Sequence, residues 1–434
     1  MEIGTKFNPR LSLFSLKKQQ AFANIFLLFS RRFGGMVHAK KAFRKEYLSL
    51  PSHLTGRRKT RQISVGNVVI GGSAPIAVQS MTNTPTEDVA ATVVQIRRLT
   101  AVGCEIVRVA IPDMAAAHAL PSIKSQVDVP LIADVHFSHR LALAAVENGA
   151  DGLRINPGNI GSLQQVRQVA DCARRHHIPI RIGVNAGSLE KDLLQQYGAA
   201  TPEAMVASAM RHVNALRHME FNAVKVSLKA SDVLRTVAAC RLFAAASDIP
   251  LHLGVTEAGA LFAGITKSSI GIGMLLAEGI GDTIRVSLTR DPVEEVRVAY
   301  EILNAVNRRQ RGPEIISCPT CGRCGIDLFN MVERIDAALA SKTVPIKVAV
   351  MGCVVNGPGE AREADIGIAG GRGNGALFKK GRIVKTLPEA QLVDALLNEV
   401  ALFEKEHRVK DKMIQQRKDN NGETDKDGDH TNAQ

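Results

Sequence analysis

The chain has 434 residues, 45% of them hydrophobic, so it is long enough for a large barrel together with a smaller domain. Its net charge of +13 at pH 7 arises almost entirely in residues 1–62, which hold 14 Lys and Arg residues against 2 Asp and Glu residues. Because the rest of the chain is close to neutral, the charge gives no support to nucleic-acid binding by the folded body.

Residues 1–57 are predicted to be a basic N-terminal extension without a fold. An apolar run at residues 21–29 lies between Lys17-Lys18 and Arg31-Arg32, but it is too short to span a bilayer. The run loosely resembles a signal or transit peptide, yet no small-residue cleavage site follows it cleanly. Since no other stretch has the composition of a transmembrane helix, we expect no membrane segment.

Residues 58–313 are predicted to form a closed (β/α)8 TIM barrel, because a β-rich run, an amphipathic helix and a glycine-containing return recur about every 30 residues. Alternating strands and helices favour parallel strands with right-handed crossovers. An open doubly wound sheet is the alternative, but its glycine fingerprint after the first strand is absent. Thr86 is predicted to cap the first helix. The predicted strands are Ile76–Gln79, Ile106–Ala110, Leu131–Asp134, Gly152–Ile155, Ile180–Gly183, Ala223–Ser227, Leu251–Gly254 and Thr283–Ser287.

Residues 314–404 have the pattern of a separate, smaller α+β domain. Strand-like runs at 347–351 and 365–369 precede a probable hairpin around Lys380-Gly381, and a helix is expected from about Pro388. Residues 405–434 are almost all charged or amide-bearing, so we predict a disordered polar tail there.

The carboxyl ends of the barrel strands are the expected place for chemistry, so the polar residues that end each run are the candidate site. Five of these runs contribute a cation. Five cations around one mouth repel each other unless an anion binds there, and guanidinium groups suit a phosphate or diphosphate. The acids and the histidine among them could transfer protons or could only balance charge. The candidates are Gln79, Ser80, Thr82, Arg108, Asp134, His136, Arg154, Asn156, Asn159, Arg181, Asn185, Ser227, Lys229, Thr256, Glu257, Arg285 and Ser287.

Four of the seven cysteines are clustered in the smaller domain with a spacing typical of a metal centre. Cys318, Cys321 and Cys324 are separated by two-residue gaps, and Cys353 begins a segment that ends at Glu360. Such clusters in a long chain indicate metal binding in a reducing compartment, so we expect a cytoplasmic protein. The spacing allows a four-thiolate zinc site or an iron–sulfur cluster. Three close cysteines favour the cluster, and Glu360 could be a carboxylate ligand that leaves one iron open to substrate.

Eight segments in unbroken order resemble the bacterial 4-hydroxy-3-methylbut-2-enyl diphosphate synthases of the non-mevalonate isoprenoid pathway. The resemblance covers about residues 58–404. Within this range the chain has no room for the large inserted domain of the plant enzymes. It implies a TIM barrel followed by an iron–sulfur domain, and a homodimer in which the cluster domain of one subunit covers the barrel of the other. The segments are PIAVQSMTNT (75–84), LRINPGNIGS (153–162), RIGVNAGSLEKDLL (181–194), KVSLKASDVL (225–234), LHLGVTEAGA (251–260), GIGDTIRVSLT (279–289), CPTCGR (318–323) and GCVVNGPGEA (352–361).

The activity implied by the resemblance is reductive ring opening and dehydration of 2-C-methyl-D-erythritol 2,4-cyclodiphosphate, with two electrons from reduced flavodoxin or ferredoxin. Carried onto this chain, it implies a [4Fe–4S] cluster held by Cys318, Cys321, Cys353 and Glu360. Cys324 departs from the family pattern; we expect a bystander, although it could be a fourth thiolate that competes with Glu360. Glu257 is the first candidate for the acid that protonates the leaving hydroxyl, and His136 is the second. The implied substrate contacts are Arg108, Asp134, Arg154, Asn156, Arg181, Asn185, Lys229, Thr256, Arg285 and Ser287.

Two other functions stay open on the sequence alone. One is a phosphate-binding lyase or aldolase with a structural zinc module, and the other is a non-enzymatic iron–sulfur electron carrier or scaffold. Metal and acid-labile sulfide analysis separates zinc from iron–sulfur, and turnover separates an enzyme from a carrier.

Overall fold

The computed structural model describes residues 56–353, 363–371 and 373–423. All the elements below lie in one unit that runs from Arg58 to Gln434. Almost all of the predicted extension over residues 1–57 lies outside the described residues, so its character stays a prediction.

A short antiparallel hairpin precedes the barrel, formed by β1 (Ile63–Val65) and β2 (Val68–Ile70). Its apolar side chains pack with Ala77, Ile106 and Ile132, which lie at or near the starts of three barrel strands. The hairpin therefore covers apolar surface at the amino end of the barrel, opposite the mouth.

The barrel is an 8-stranded parallel sheet in the order β8-β7-β6-β5-β4-β3-β10-β9. A parallel bridge between Val226 and Leu251 brings the two outer strands together, so the ring is nearly closed. Each predicted run overlaps an observed strand, which confirms the predicted barrel. The strands are β3 (Ala77–Met81), β4 (Ile106–Ala110), β5 (Leu131–Asp134), β6 (Gly152–Ile155), β7 (Ile180–Asn185), β8 (Val224–Lys229), β9 (His252–Leu253) and β10 (Thr283–Ile284).

Helices pack around the barrel through buried apolar faces. The first of them begins after Asp88, whose side chain accepts a hydrogen bond from the Ala91 amide, so the prediction of Thr86 as its cap is wrong. The Thr86 hydroxyl instead donates to the carbonyl of Ala110 at 2.6 Å. The helices are α1 (Val89–Ala101), α2 (Met114–Lys124), α3 (His139–Glu147), α4 (Pro157–Ile160), α5 (Leu163–Arg175), α6 (Lys191–Tyr197), α7 (Pro202–His218), α8 (Val233–Ala246), α9 (Leu261–Ala277) and α10 (Pro292–Ala305).

A separate 5-stranded sheet follows the barrel, in the order β11-β12-β13-β14-β15. Its first three strands are parallel, and the last two form the predicted antiparallel hairpin. The long final helix continues well past residue 404, so the predicted polar tail begins within it, and residues 424–434 lie outside the described part. The elements are β11 (Glu314–Ser317), α11 (Leu328–Leu339), β12 (Lys347–Met351), β13 (Ile366–Gly370), β14 (Asn374–Lys379), β15 (Arg382–Pro388) and α12 (Leu392–Glu423).

Among the described residues, no helix combines the length and the apolar character that crossing a lipid bilayer requires.

Candidate active site

The charged residues of the barrel mouth come from matching positions on neighbouring strands. The parallel register pairs Asp134 with Arg154, Arg154 with Arg181, and Arg181 with Lys225. Residues paired in this way point to the same face of a sheet, and here that face is the barrel interior. Their exposed fractions lie between 1% and 5%, so four ionisable side chains are held together almost out of contact with water.

Asp134 is the principal counter-charge of this group. Its Oδ1 accepts a hydrogen bond from Arg154 Nη1 at 3.0 Å, and its Oδ2 lies 3.5 Å from Arg108 Nε. His136 Nε2 lies 3.4 Å from Oδ1. Burial alone would raise the pKa of Asp134, but the charge of Arg108, the hydrogen bond with His136 and the charge of Arg154 together hold this pKa well below its usual value. Asp134 is therefore ionised and holds three neighbours around it.

Glu295 is a second buried acid at the mouth, and it is not among the residues predicted from the sequence. It lies on α10, where it accepts a hydrogen bond from the Ser80 hydroxyl at 3.0 Å and from the Leu288 amide at 3.0 Å. Its carboxylate also lies 3.4 Å from Arg285. The available signal was its position four residues before Ala299 on the apolar face of the helix, where an acid needs a buried partner.

Cations exceed acids in this interior, and several of their nitrogens have no hydrogen-bond partner among the described residues. These nitrogens are Arg154 Nε, Arg181 Nε and Nη2, and Arg285 Nε. Burial lowers the pKa of Arg108 to about 10, although Asp134 partly offsets the effect. Burial, and then the charges of neighbouring cations, lower the pKa values of Arg181 and Lys229 as well. An anion in the mouth would relieve this repulsion and use the unpartnered donors.

Lys229 lies close against strand β9 because residue 254 is a glycine. A Cβ atom added at Gly254 would lie 2.6 Å from Lys229 Nζ and 2.5 Å from the carbonyl oxygen of Arg285. The second of these atoms belongs to the backbone and cannot rotate away. The glycine thus lets the lysine and two strands meet at the mouth.

Gly254→Ala is expected to lower the free energy of unfolding by about 1–3 kcal/mol, because the added methyl group forces strand and lysine apart. The same change should weaken anion binding, since Lys229 must move. Urea unfolding and titration with inorganic diphosphate measure the two effects. Gly187→Ala is the matched control, because nothing lies within 4 Å of its added Cβ atom. Equal unfolding midpoints for the two variants would contradict the argument.

The other predicted substrate contacts differ in their burial. Asn156 is buried, whereas Asn185, Thr256 and Ser287 are half-buried. Glu257 is exposed and has φ = 51°, a left-handed conformation that is uncommon for residues other than glycine and is often found at functional sites.

His136 and Glu257, the two candidate acids, differ in their contacts. His136 is half-exposed, and its Nε2 lies 2.5 Å from Arg154 Nη1. Its ring therefore contacts both Arg154 and Asp134. Glu257 has no hydrogen bond or ion pair with any other described residue, so its carboxyl group is not committed to a neighbour in the protein.

The four clustered cysteines lie at one end of the second sheet. Cys318 follows β11 and Cys353 follows β12, and these strands are parallel neighbours. The Gly352 amide donates to Cys318 Sγ at 3.3 Å. A Cβ atom at Gly352 would lie 2.5 Å from Cys324 Sγ and 3.4 Å from Cys318 Sγ. The glycine therefore leaves room beside two thiols.

These thiols and the space beside them fit a soft metal centre in their chemistry. All seven cysteines are free of disulfides. Within residues 56–353, 363–371 and 373–423, no three His, Cys, Asp or Glu side chains are grouped closely enough to hold a metal ion. The predicted ligand Glu360 lies outside the described residues. Cys324, the predicted bystander, lies beside Cys318 and donates to the Ile326 carbonyl at 3.3 Å.

Two family models match the chain in sequence order. The GcpE TIM-barrel domain matches residues 60–300, and the GcpE protein C-terminal domain matches residues 314–402.

Three curated relatives are each named 4-hydroxy-3-methylbut-2-en-1-yl diphosphate synthase (flavodoxin). The protein of Geobacter sulfurreducens is 60% identical over 344 residues, which are 79% of this chain and 98% of the relative. That of Thermodesulfovibrio yellowstonii is 59% identical over 344 residues, or 79% of this chain and 99% of the relative. That of Halalkalibacterium halodurans is 52% identical over 364 residues, or 84% of this chain and 99% of the relative.

Proposed function

The chain belongs to the GcpE family and catalyses the reductive conversion of 2-C-methyl-D-erythritol 2,4-cyclodiphosphate to (E)-4-hydroxy-3-methylbut-2-enyl diphosphate, and we propose that the barrel mouth is where the cyclic diphosphate binds. It is an oxidoreductase of isoprenoid biosynthesis, and the names of its relatives identify flavodoxin as the electron donor. Ferredoxin as a second donor stays a prediction.

One observation carries the proposed binding site: buried cations whose nitrogens have no partner among the described residues. In the proposal, Arg154, Arg181 and Arg285 donate these free N–H groups to phosphate oxygens. Charge-assisted bonds of this kind are strong in a buried site because little water competes for them. Asp134 and Glu295 fix the guanidinium groups before the substrate arrives, so little ordering is needed on binding.

Glu257 is the proposed acid that protonates the leaving hydroxyl. Its support is its place at the mouth, its left-handed backbone and its lack of a partner among the described residues. His136 is the second candidate, but its contacts with Asp134 and Arg154 already occupy its ring. The buried Asn156 and the half-buried Asn185, Thr256 and Ser287 are proposed to complete the substrate contacts.

We propose that Cys318, Cys321, Cys353 and Glu360 hold a [4Fe–4S] cluster. When bound, such a cluster supplies electrons one at a time and offers an open iron where a carboxylate replaces a thiolate. The chain's own contribution is the space at Gly352 and the parallel strands that bring Cys318 and Cys353 to one end of the sheet. Free thiols in this arrangement suit a reducing compartment, so a cytoplasmic location is part of the proposal.

Cys318→Ser and Cys353→Ser are expected to lose most of the bound iron and acid-labile sulfide, because each removes a proposed ligand. Cys324→Ser is the matched control in the same loop and is expected to keep both. Glu360→Ala is expected to keep substrate binding but to lose most turnover. Anaerobic iron and sulfide analysis with electron paramagnetic resonance measures cluster content. Loss of the cluster in Cys324→Ser would make Cys324 a ligand and contradict the assignment.

A homodimer is proposed in which the cluster domain of one subunit covers the barrel of the other. Its support is a set of exposed apolar side chains in the segments that follow the strands at the mouth: Phe137, Leu163, Leu234 and Phe262, which are 69–85% exposed. Exposed apolar surface of this kind marks interaction sites. Sedimentation of the cluster-containing protein tests the proposal, and a monomeric mass would overturn it.

Turnover of the cyclodiphosphate by the anaerobically reconstituted enzyme with reduced flavodoxin tests the whole assignment. Formation of the hydroxymethylbutenyl diphosphate, followed by phosphorus magnetic resonance, is expected. A zinc-containing protein without sulfide would favour the lyase alternative, and redox cycling without product would favour the electron carrier.

A further inference from the structure

Lys225 is a buried cation of the barrel interior, near the start of its strand rather than at the carboxyl end, where Lys229 lies. It is on β8, in register with Arg181 on β7 and four residues before Lys229 on the same face of the strand. Its side chain is 1% exposed, and its Nζ has no hydrogen-bond partner among the described residues. An ammonium group without a partner in such a place is costly, so its presence calls for an explanation.

The charges around Lys225 are mostly positive. Arg181 on β7 and Arg108 on β4 contribute positive charge, and His252 on β9 is a fully buried residue of the same interior. The acid that faces Lys225 is Asp282, just before β10. Asp282 already accepts hydrogen bonds from the Thr60 hydroxyl and the Leu251 amide, both at 2.9 Å.

These surroundings favour the neutral amine. Burial, followed by the charge of Arg181, lowers the pKa of Lys225 to about 7, and Asp282 offsets only part of the effect. The nearby His252 forms a hydrogen bond between its Nδ1 and the Thr283 hydroxyl. Its Nε2 has no hydrogen-bond partner among the described residues. The interior thus holds a lysine whose charge responds to any change in the potential at the mouth.

We propose that Lys225 takes up a proton when the diphosphate binds at the mouth, although its side chain does not touch the substrate. This inference rests on the proposed assignment of the mouth as the diphosphate site. Negative charge brought into the same poorly solvated interior neutralises Arg181 and its neighbours, so the ammonium form of Lys225 becomes favourable. Binding and proton uptake are then linked, and each strengthens the other.

The coupling suits the chemistry of the reaction. Removal of the ring C–O bond and of the neighbouring hydroxyl forms a C=C bond, and this step needs two electrons and one proton for each water released. The electrons come from reduced flavodoxin, the ring oxygen stays on the diphosphate of the product as a negatively charged oxygen, and the proton leaves with the hydroxyl as water. Proton uptake on binding therefore means that the enzyme–substrate complex already holds one proton in the barrel before the electrons arrive.

Calorimetric titration of the cluster-containing enzyme with inorganic diphosphate tests the proposal. At pH 8, repeating the titration in buffers of different ionisation heat gives the number of protons taken up. Lys225→Met is expected to take up about one proton fewer than the wild type, because the unbranched methionine side chain cannot titrate. Lys405→Met, at an exposed position on α12, is the matched control and should equal the wild type. Protons released by the diphosphate itself are common to all three proteins and cancel in the differences.

Stability and pH dependence distinguish this role from a structural one. Removal of an unpartnered buried ammonium group should raise the urea midpoint of Lys225→Met, most strongly below pH 7, and this gain should disappear as the pH rises through the ordinary lysine pKa. If Lys225 instead stabilised the fold, the urea midpoint of Lys225→Met would be lower than that of the wild type. Lys225→Gln serves as a second variant if Lys225→Met does not fold. Equal proton uptake by the wild type and a folded variant would overturn the inference, whereas failure of the wild type to bind diphosphate would count against the mouth assignment itself.

Discussion

Asp134→Asn is expected to lower the free energy of unfolding by about 3–5 kcal/mol at pH 7, because it removes the counter-charge of two buried arginines. Arg108 and Arg154 have exposed side-chain fractions of 10% or less and cannot turn to water without moving the strands that carry them. The amide has the shape of the carboxylate but no charge, so it leaves both guanidinium groups uncompensated. His136 loses its contact with a charged carboxylate oxygen in the same step.

Urea unfolding as a function of pH measures this effect. The pKa of Asp134 is lowered in the folded protein, so its stabilisation is fully present above the ordinary Asp pKa and is lost as the pH falls below it. The variant should therefore be less stable than the wild type at pH 7, and the difference should narrow in acid. Asp171→Asn removes a carboxylate from an exposed pair with Arg174 and should change stability little. Similar losses in both variants would contradict the role of Asp134.

Arg181→Met is expected to weaken diphosphate binding by about 10²–10³-fold, or roughly 3–4 kcal/mol, because it removes a buried guanidinium with free donors. The same change should leave stability unaltered or raise it. Arg181 is 3% exposed, and Arg108 and Arg154 repel it. The single hydrogen bond of its side chain among the described residues runs to the Ser227 hydroxyl at 2.9 Å. Loss of binding together with retained stability is the expected mark of a group held for an anion.

Calorimetry with inorganic diphosphate and urea unfolding measure the two quantities in one preparation. Arg297→Met removes an exposed arginine paired with Glu294 and should change neither. A variant at position 181 that binds diphosphate as tightly as the wild type would show that the mouth cations serve only the fold. A large loss of stability would show that Ser227 and Arg181 form a structural contact.

The barrel and much of its mouth could be predicted from sequence for a simple physical reason. Parallel strands present alternate residues to the interior, and their carboxyl ends meet, so Arg108, Asp134, Arg154 and Arg181 had to converge once the strands were recognised. Lys225 lies near the start of β8, four residues before the strand-end Lys229, and reads in sequence as an ordinary polar residue of a strand.

Contacts between segments far apart in the chain could not be predicted from local sequence patterns. Glu295 reaches the mouth from α10 and meets Ser80, which is 215 positions away in the chain. Thr86 fits the pattern of a helix cap, but its hydroxyl donates a hydrogen bond to the carbonyl of Ala110. Asp88 caps the helix instead. The ligand set of the cysteines stays a prediction, because Glu360 lies outside the described residues.

The pairing of β10 with β3 has a consequence for the synthesis of the chain. Thr283 pairs with Ala77, so the ring cannot close until the ribosome has produced the eighth strand. Until then, β3 presents an unpaired edge, and such edges invite pairing with other chains. Folding that depends on contacts so far apart in sequence is slow. The nascent protein is thus most exposed to aggregation shortly before the barrel is complete, when an apolar sheet of seven strands still lacks its last partner.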